Sequence, residues 1–171
     1  MTRQEYIQKF KKAAIDSIKG TGLFPSVLMA QAILESSNAQ GQPGLSLLSR
    51  KYNNHFGVKA DKSWKGKKVN LQTGEVYNGV NVVVGDYFRV YDNPAQSFKD
   101  RNEFLVKNPR YTKAGVFKAT TPERQADALQ KAGYATDPQY AAKLKSLIRT
   151  LHLKTLDELA RKNESSGQEP L

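Results

Sequence analysis

The sequence predicts a mostly helical α+β fold with a small β-hairpin lobe. Apolar residues recur at helical spacing towards both ends of the chain, and between them the period changes to that of β-strands. With 171 residues, of which 39% are hydrophobic, the chain is about long enough to bury one core. We therefore expect a single domain over 1–155 with its β-lobe at about 64–91, followed by a short helix and a disordered polar tail over 156–171.

Two helices are predicted before the β-lobe. The first runs over 3–19 and is ended by Gly20, and its apolar face consists of Ile7, Phe10, Ala14 and Ile18. The second begins at Pro25, a residue that fits the first turn of a helix, and stays apolar nearly all round until it closes on Glu35.

The middle of the chain reads as strands. Three stretches are rich in β-branched and aromatic residues: Val69–Thr73, Glu75–Tyr77 and Val80–Val84. Between them, Asn78-Gly79 is typical of a type I′ hairpin turn. We predict a third strand over Asp86–Tyr91.

Helices return after the strands. Asp92-Asn93-Pro94 starts one whose face consists of Ala95, Phe98, Asn102 and Leu105. Thr120-Thr121-Pro122-Glu123 has the pattern of a capping box, and the helix behind it stops at Gly133. Asp137-Pro138 opens another helix, with its face formed by Tyr140, Leu144, Leu147, Ile148 and Leu151, and Thr155 caps a short last helix.

Glu35 is the first candidate for chemistry. It is the only ionisable residue between Lys19 and Arg50, and at helical spacing it stacks over Gln31 and Ala32. Partial burial disfavours its charged form, so we expect a raised pKa. A carboxyl group that stays protonated near neutral pH is what a glycosidase needs as its general acid. The alternative is a glutamate that frays into solvent at a helix end.

Five motifs in order resemble the glucosaminidase domain of glycoside hydrolase family 73, which comprises bacterial peptidoglycan hydrolases, autolysins and the flagellar cell-wall hydrolase domain. The motifs are Leu34-Glu35-Ser36, Asn53-Asn54-His55-Phe56-Gly57-Val58-Lys59-Ala60, Phe88-Arg89-Val90-Tyr91, Asn108-Pro109-Arg110-Tyr111 and Gly133-Tyr134-Ala135-Thr136-Asp137-Pro138. The resemblance implies a lysozyme-like fold in which a cleft separates the helical lobe from the β-lobe.

The resemblance also implies a second catalytic carboxylate, Glu75, acting as a base for the attacking water. Two alternatives stay open for Glu75: a solvated hairpin carboxylate, or a group that assists when the substrate's own 2-acetamido group attacks. Asp86, the other acid of this region, is interpreted as a surface residue.

Five residues are predicted to bind substrate. Tyr134 would line the cleft near the acid, or bridge two helices through its hydroxyl group. Tyr111 would stack on a pyranose ring, or pack in the core. Phe56 would anchor the loop beneath the cleft, and Asn54 would hydrogen-bond sugar groups or mark a turn. Trp64 would supply the aromatic surface that many family members carry just after the catalytic Glu, where this chain has Ser36-Ser37-Asn38-Ala39.

Charge and composition bear on partners and cofactors. The net charge of +11 suits the anionic cell wall, and the densest basic cluster is Lys59, Lys62, Lys65, Lys67 and Lys68. The alternatives for this cluster are a nucleic-acid patch, which we do not expect, and a solvated surface. With no cysteine, two histidines and no nucleotide fingerprint, we predict neither metal nor cofactor.

These observations combine into one prediction: a monomeric peptidoglycan hydrolase that cleaves the β-1,4 bond on the reducing side of N-acetylglucosamine, with Glu35 as general acid. The alternatives are an N-acetylmuramidase, a lytic transglycosylase and a non-catalytic wall- or nucleic-acid-binding module. We expect it in the cell wall, the periplasm or outside the cell. The chain shows no apolar span and no signal-peptide core, so a removed signal or phage-type release would bring it there.

Overall fold

The structure is a computed structural model that describes the backbone of residues 1–167, and their side chains except those of 73–77, 82 and 165–167. Its elements are α1 (Arg3–Ser17), α2 (Pro25–Glu35), α3 (Leu47–Tyr52), β1 (Lys68–Tyr77), β2 (Val80–Arg89), α4 (Pro94–Lys107), α5 (Pro109–Lys113), a 3₁₀ turn (Val116–Lys118), α6 (Pro122–Lys131), α7 (Tyr140–Thr150) and α8 (Lys154–Gly167). The predicted helical α+β fold with one hairpin lobe is confirmed.

Helix α2 is the centre of the helical body. Its nine residues from Pro25 to Ile33 are all buried. Helices α1, α6, α7 and α8 pack around it. The apolar character of α2 on every side therefore reflects burial on every side. Within residues 1–167, no helix is both long and apolar enough to cross a bilayer.

The predicted apolar faces form the surrounding core. On α1, the four predicted face residues, Ile7, Phe10, Ala14 and Ile18, are all buried. On α4, Phe98, Asn102 and Leu105 are buried, whereas Ala95 is exposed. On α7, four of the five predicted residues are buried, namely Tyr140, Leu144, Leu147 and Ile148.

The β-lobe has two long strands, so the prediction of a separate third strand is wrong. Strands β1 and β2 pair antiparallel along their whole length, and Gly85 pairs with Gln72 without interrupting β2. The segment from Asp86 to Arg89 is thus the end of β2. The turn prediction is confirmed, because Asn78 and Gly79 both have the positive φ of a type I′ turn, at 50° and 78°.

The loop after α3 ties the hairpin to the body. Lys59 forms a β-bridge with Phe88, and the Arg89 amide donates to the Val58 carbonyl oxygen at 3.1 Å. This loop therefore runs as a short third edge beside β2.

Three predicted helix ends are displaced in the structure. The N-cap of α6 is Thr121 and not Thr120, because the Thr121 hydroxyl accepts the Arg124 amide; Glu123 instead pairs with Lys154. Helix α7 begins at Tyr140, after a turn in which Asp137 accepts the Gln139 amide. The last helix, predicted to be short, runs for 14 residues.

Candidate active site

Glu35 is the last residue of α2. The opposite, N-terminal end of this helix is held by a residue that is distant in the sequence. The N-cap residue Phe24 offers no side-chain cap to α2. Asp157 of α8 takes this role, accepting the Ser26 amide at 2.9 Å and the Ser26 hydroxyl at 2.7 Å. A carboxylate at a helix N-terminus satisfies free amides and suits the helix dipole. Helix α2 is thus fixed at the end opposite to Glu35.

The surroundings of Glu35 favour its protonated form. The side chain is half-buried, and desolvation raises the pKa of its carboxyl group above the ordinary glutamate value. The hydroxyl group of the nearby Tyr140 opposes this shift with a smaller effect, because a hydrogen-bond donor favours the carboxylate and so lowers its pKa. The C-terminal end of a helix dipole also disfavours a negative charge. The expected raised pKa is confirmed in direction.

Ser36 anchors the chain directly after Glu35. Its side chain is buried, and its hydroxyl accepts the Gly44 amide at 2.8 Å. Its carbonyl oxygen accepts the Ser46 amide at 3.0 Å, and also the Ser49 hydroxyl. These bonds hold the polar loop of residues 38–46 against the end of α2, so Glu35 is fixed from both sides.

Glu35 faces a cleft of about 360 Å³. Its walls come from three parts of the chain besides α2, namely the loop after α3, the junction of α4 and α5, and the loop between α6 and α7. The lining residues are Phe56, Gly57, Val58, Lys59, Asp61, Phe104, Arg110, Tyr111, Tyr134 and Ala135. Four of the five motifs that resemble the glucosaminidase domain therefore contribute residues to this one cleft.

Tyr134 lies in this cleft as predicted. Its ring stacks on Tyr140 with the ring centroids 5.7 Å apart and meets Phe104 edge-on at 6.5 Å. Burial raises the pKa of its hydroxyl group, and the nearby Glu35 contributes in the same direction. The Tyr134 hydroxyl is therefore a neutral hydrogen-bonding group close to the acid.

Trp64 lines a second cavity of about 310 Å³, which shares Asp61 and Phe104 with the Glu35 cleft. The indole N–H donates to the Lys67 carbonyl oxygen at 2.9 Å. The Arg89 guanidinium lies 4.6 Å from the centroid of the ring. A long substrate could thus contact Glu35 in one cavity and Trp64 in the next.

The structure does not give Asn54 the predicted role. Its side chain is buried, its amide donates to the carbonyl oxygens of Val58 and Arg89, and its oxygen accepts the Val58 amide. All of its hydrogen-bonding capacity is directed to the backbone of the loop and β2. Asn54 therefore fixes the wall of the cleft and has no group left for a sugar.

Tyr111 and Phe56 also act from beneath the surface. Tyr111 is fully buried, with its hydroxyl group accepting from Arg110, so the stacking role is wrong and the packing alternative holds. Phe56 is 4% exposed and packs edge-on against Phe98, which agrees with an anchor below the cleft. Gly57, with φ of 65°, gives this loop its tight bend.

Glu75 stays a prediction. Its backbone lies in β1 opposite Val82, but its side chain is outside the described part of the structure. Asp86, interpreted as a surface acid, pairs with Lys59 at 3.3 Å and does not line the cleft.

Sequence reasoning missed several polar residues of the site. Asp61 and Arg110 line the Glu35 cleft. The pKa of Asp61 is lowered, chiefly by its hydrogen bond from the Ser63 hydroxyl, so this exposed carboxyl is ionised. Arg101 and Gln31 lie fully buried behind Glu35. Arg110 could have been found within Asn-Pro-Arg-Tyr, whereas nothing in the sequence marks Arg101 as buried.

Two further features surround the site. The five lysines of the basic cluster are exposed, and Lys59 among them lines the Glu35 cleft. Among the side chains that the structure describes, no three acidic, histidine or cysteine residues meet in a group able to hold a metal ion.

Comparison with known proteins assigns this arrangement to a family. The family model described as mannosyl-glycoprotein endo-beta-N-acetylglucosaminidase, named Glucosaminidase, matches residues 11–153. The chain is 41% identical to the peptidoglycan hydrolase FlgJ of Vibrio cholerae over 143 residues, covering 84% of this chain and 42% of that protein. It is 37% identical to a probable N-acetylmuramidase of Lactococcus lactis over 161 residues, covering 90% of this chain and 35% of that protein. The chain thus spans less than half the length of these relatives.

Solved structures agree with the sequence relatives. The C-terminally truncated glycoside hydrolase domain of Salmonella typhimurium FlgJ aligns with a TM-score of 0.66 at 37% identity, covering 88% of this chain and 97% of that one. The catalytic domain of the autolysin Auto from Listeria monocytogenes aligns with a TM-score of 0.77 at 32% identity, covering 91% and 87%. The lysozyme-like α+β fold and the resemblance found in the motifs are confirmed, and the chain belongs to the glucosaminidase family.

Proposed function

We propose that this protein hydrolyses the glycan strands of peptidoglycan at the β-1,4 bond on the reducing side of N-acetylglucosamine, with Glu35 as the general acid. The observation that supports this most directly is the placement of one half-buried carboxyl group, with a raised pKa, at the floor of a cleft. Membership of the glucosaminidase family supports the choice of bond.

The chemistry follows from the state of Glu35. A protonated Glu35 donates its proton to the glycosidic oxygen as the bond to the anomeric carbon breaks, and a carboxylate is left behind. Water then attacks the anomeric carbon. We propose Glu75 as the base that activates this water, either directly or after the substrate's acetamido group has attacked. We propose that the neutral hydroxyl group of Tyr134, which lines the same cleft as Glu35, hydrogen-bonds the sugar beside the acid.

An N-acetylmuramidase is the second candidate, because the Lactococcus lactis relative bears that name. Both activities require the same acid and differ in which sugar occupies the site before the cleaved bond. The walls of the cleft, and not Glu35, would decide between them.

Product analysis separates the candidates. Purified peptidoglycan is digested, and the released fragments are examined by mass spectrometry after borohydride reduction. Reduced N-acetylglucosamine at the fragment ends supports the proposal. Reduced N-acetylmuramic acid would favour the muramidase, anhydro-muramic ends a lytic transglycosylase, and no released fragment a binding module.

We also propose that the basic cluster binds anionic wall polymers and so places the protein at the cell wall. Lys62, Lys65 and Lys67 are exposed and lie within three residues of Trp64 in the chain, and Trp64 lines the second cavity. Changing these three to Glu should reduce sedimentation with insoluble peptidoglycan, and added salt should shrink the difference because it screens exposed charges. The matched control reverses three exposed lysines elsewhere, Lys9 and Lys12 of α1 and Lys19 in the turn after it. Equal losses in both variants would contradict a specific role for the cluster.

A further inference from the structure

Among the side chains that the structure describes, no carboxylate pairs with the buried Arg101. Its side chain is fully inaccessible to solvent. Its Nε and Nη2 atoms donate to the Gln31 Oε1 atom at 3.0 and 2.6 Å, and its Nη1 atom donates to the Asn102 Oδ1 atom at 2.9 Å. Charged side chains are rarely buried unless a counter-charge pairs with them. A guanidinium group that is satisfied only by neutral amides therefore needs an explanation.

The hydrogen bonds of Arg101 fix which atoms donate and which accept in the next two residues of the network, Gln31 and Tyr140. A guanidinium group can only donate, so it holds the oxygen of the Gln31 amide towards itself. The Gln31 Nε2 atom must then point the other way, where it donates to the Tyr140 hydroxyl oxygen at 2.7 Å. Because that oxygen accepts from Gln31, the hydroxyl proton of Tyr140 is left for another acceptor. Glu35 lies one helical turn after Gln31 on α2, and the Tyr140 hydroxyl group lowers the pKa of Glu35, so the Glu35 carboxyl group is the acceptor beside it.

We infer that Arg101 is a positioning residue for the general acid: through Gln31 it orients the Tyr140 hydroxyl so that this group always donates to Glu35. The inference deepens the proposed function and rests on it, since it assumes that Glu35 is the acid. Arg101 acts through two other side chains and does not touch the substrate.

This orientation has two effects on proton transfer. In protonated Glu35, the oxygen that accepts from Tyr140 is occupied, so the acidic proton sits on the other oxygen and faces the cleft. After the proton has moved to the glycosidic oxygen, the new carboxylate already has a donor in place. A donor that is held before the reaction needs no reorganisation during it.

Several other ionisable groups line the cleft with Glu35. The loop after α3 provides Lys59 and Asp61, α5 provides Arg110 and Tyr111, and the loop between α6 and α7 provides Tyr134. Tyr134 also stacks on Tyr140, but none of these groups takes part in the hydrogen bonds that join Arg101, Gln31 and Tyr140, so a change at Gln31 or Tyr140 tests the inferred orientation directly.

The sharpest test is Gln31→Glu. The substitution is nearly isosteric and gives Arg101 a counter-charge, so we expect the fold and the melting temperature to be maintained. A carboxylate has no N–H, so Tyr140 would donate to Glu at position 31 and no longer to Glu35. We expect kcat to fall roughly 10- to 100-fold, as for the loss of a hydrogen bond to a charged group. The alkaline limb of kcat/KM should move to higher pH, because Glu35 loses a donor and gains a negative neighbour.

A second pair of variants guards against a folding effect. Tyr140→Phe removes only the hydroxyl group and should shift the alkaline limb to higher pH. Tyr91→Phe removes another largely buried hydroxyl group, one that bonds to Asp100 and lies outside the chain from Arg101 to Glu35, and should leave that limb in place. Both are assayed by kcat/KM against pH, with the fold checked by circular dichroism.

Wild-type kcat and an unmoved alkaline limb in Gln31→Glu and Tyr140→Phe would overturn the inference and assign Arg101 a purely structural role. That result is distinct from a failure of the proposed function. If Glu35→Gln abolished activity in the same assay while both test variants behaved as wild type, Glu35 would stand as the acid and only its positioning by Arg101 would fall.

Discussion

Helix α2 and the β1–β2 hairpin differ in how they are held. Nine residues of α2 are buried in sequence. On the described part of β2, only Phe88 and Arg89 are buried, and Val83 is 70% exposed. Every buried side-chain nitrogen or oxygen that the structure describes has a hydrogen-bond partner. The acid thus belongs to an element that is buried on all sides, whereas the hairpin is a ribbon whose described contacts with the loop after α3 lie at its base, at Phe88 and Arg89.

This difference teaches where precision is needed. A general acid must keep its pKa and the orientation of its carboxyl group, and for Glu35 both depend on the packing around it. A β-lobe needs to admit and release a polymer, so a narrow connection at Lys59 and Arg89 is compatible with its role. The comparison predicts large effects for changes in the body and small ones on the hairpin face.

The largest effect is expected from Glu35→Gln. The amide is nearly isosteric but has no proton to donate, and general acid catalysis contributes about 10²- to 10⁴-fold. Release of soluble fragments from peptidoglycan should fall by that factor, with the thermal unfolding midpoint unchanged. The matched control is Glu158→Gln, an exposed position on α8. A fully active Glu35→Gln protein would remove Glu35 from the mechanism.

The next effect concerns acid stability and His55, which is 2% exposed and bonded to the Tyr6 hydroxyl at 2.6 Å. Burial, together with the nearby positive charge of Lys9, lowers the pKa of His55 to about 4, from about 6.5 when unfolded. The unfolded chain therefore binds this proton first, and stability is lost as pH falls from about 6.5 to 4, by about 3 kcal/mol.

Urea unfolding at pH 7 and pH 4 measures this loss. In His55→Phe the buried titrating group is gone, so the free energy of unfolding should depend less steeply on pH over the same range. Equal slopes for the two proteins would show that carboxylates alone cause the acid sensitivity.

Removing the tertiary cap of α2 should have a somewhat smaller effect. Asp157→Ala leaves the buried amide and hydroxyl groups of Ser26 without their acceptor, and the free energy of unfolding should fall by about 2 kcal/mol. Asp127→Ala removes an acid whose pair with Lys145 is exposed, and should change stability by less than about 0.5 kcal/mol. Chemical denaturation of both variants gives the comparison directly.

The smallest effect tests the hairpin itself. Val83→Thr keeps a β-branched side chain on an exposed face and should change the free energy of unfolding by less than about 0.5 kcal/mol. The same substitution at Val27, which is fully buried in α2, places a hydroxyl group in the core and should cost about 1–3 kcal/mol. Similar losses at the two positions would show that the hairpin is packed as firmly as the body.

Local patterns in the sequence predicted most of the fold, because helices and turns depend mainly on residues that are neighbours in the chain. The all-round apolar character of α2 predicted its burial, and Asn78-Gly79 predicted the turn. The predicted third strand failed because pairing with β1 keeps Gly85 extended, so that Asp86–Arg89 continues β2. Partners distant in sequence decide such cases.

The candidate site was predictable only in part for the same reason. Glu35 and Tyr134 stand out from their surroundings in the sequence and both line the cleft. Asn54 looks like a sugar-binding residue until its partners on β2, 35 residues away, are known. Arg101 resembles any helical surface arginine, and its burial depends on Gln31, 70 residues earlier.

The contact between Ser26 and Asp157 joins residues 131 positions apart. A contact of such long range forms only after much of the chain has been ordered, since the entropy of closing the loop must be met first. Helix α2 also needs α1, α6, α7 and α8 around it before its apolar surface is covered. The cleft at the end of α2 should therefore be completed late in folding, so that partly folded chains present no working acid.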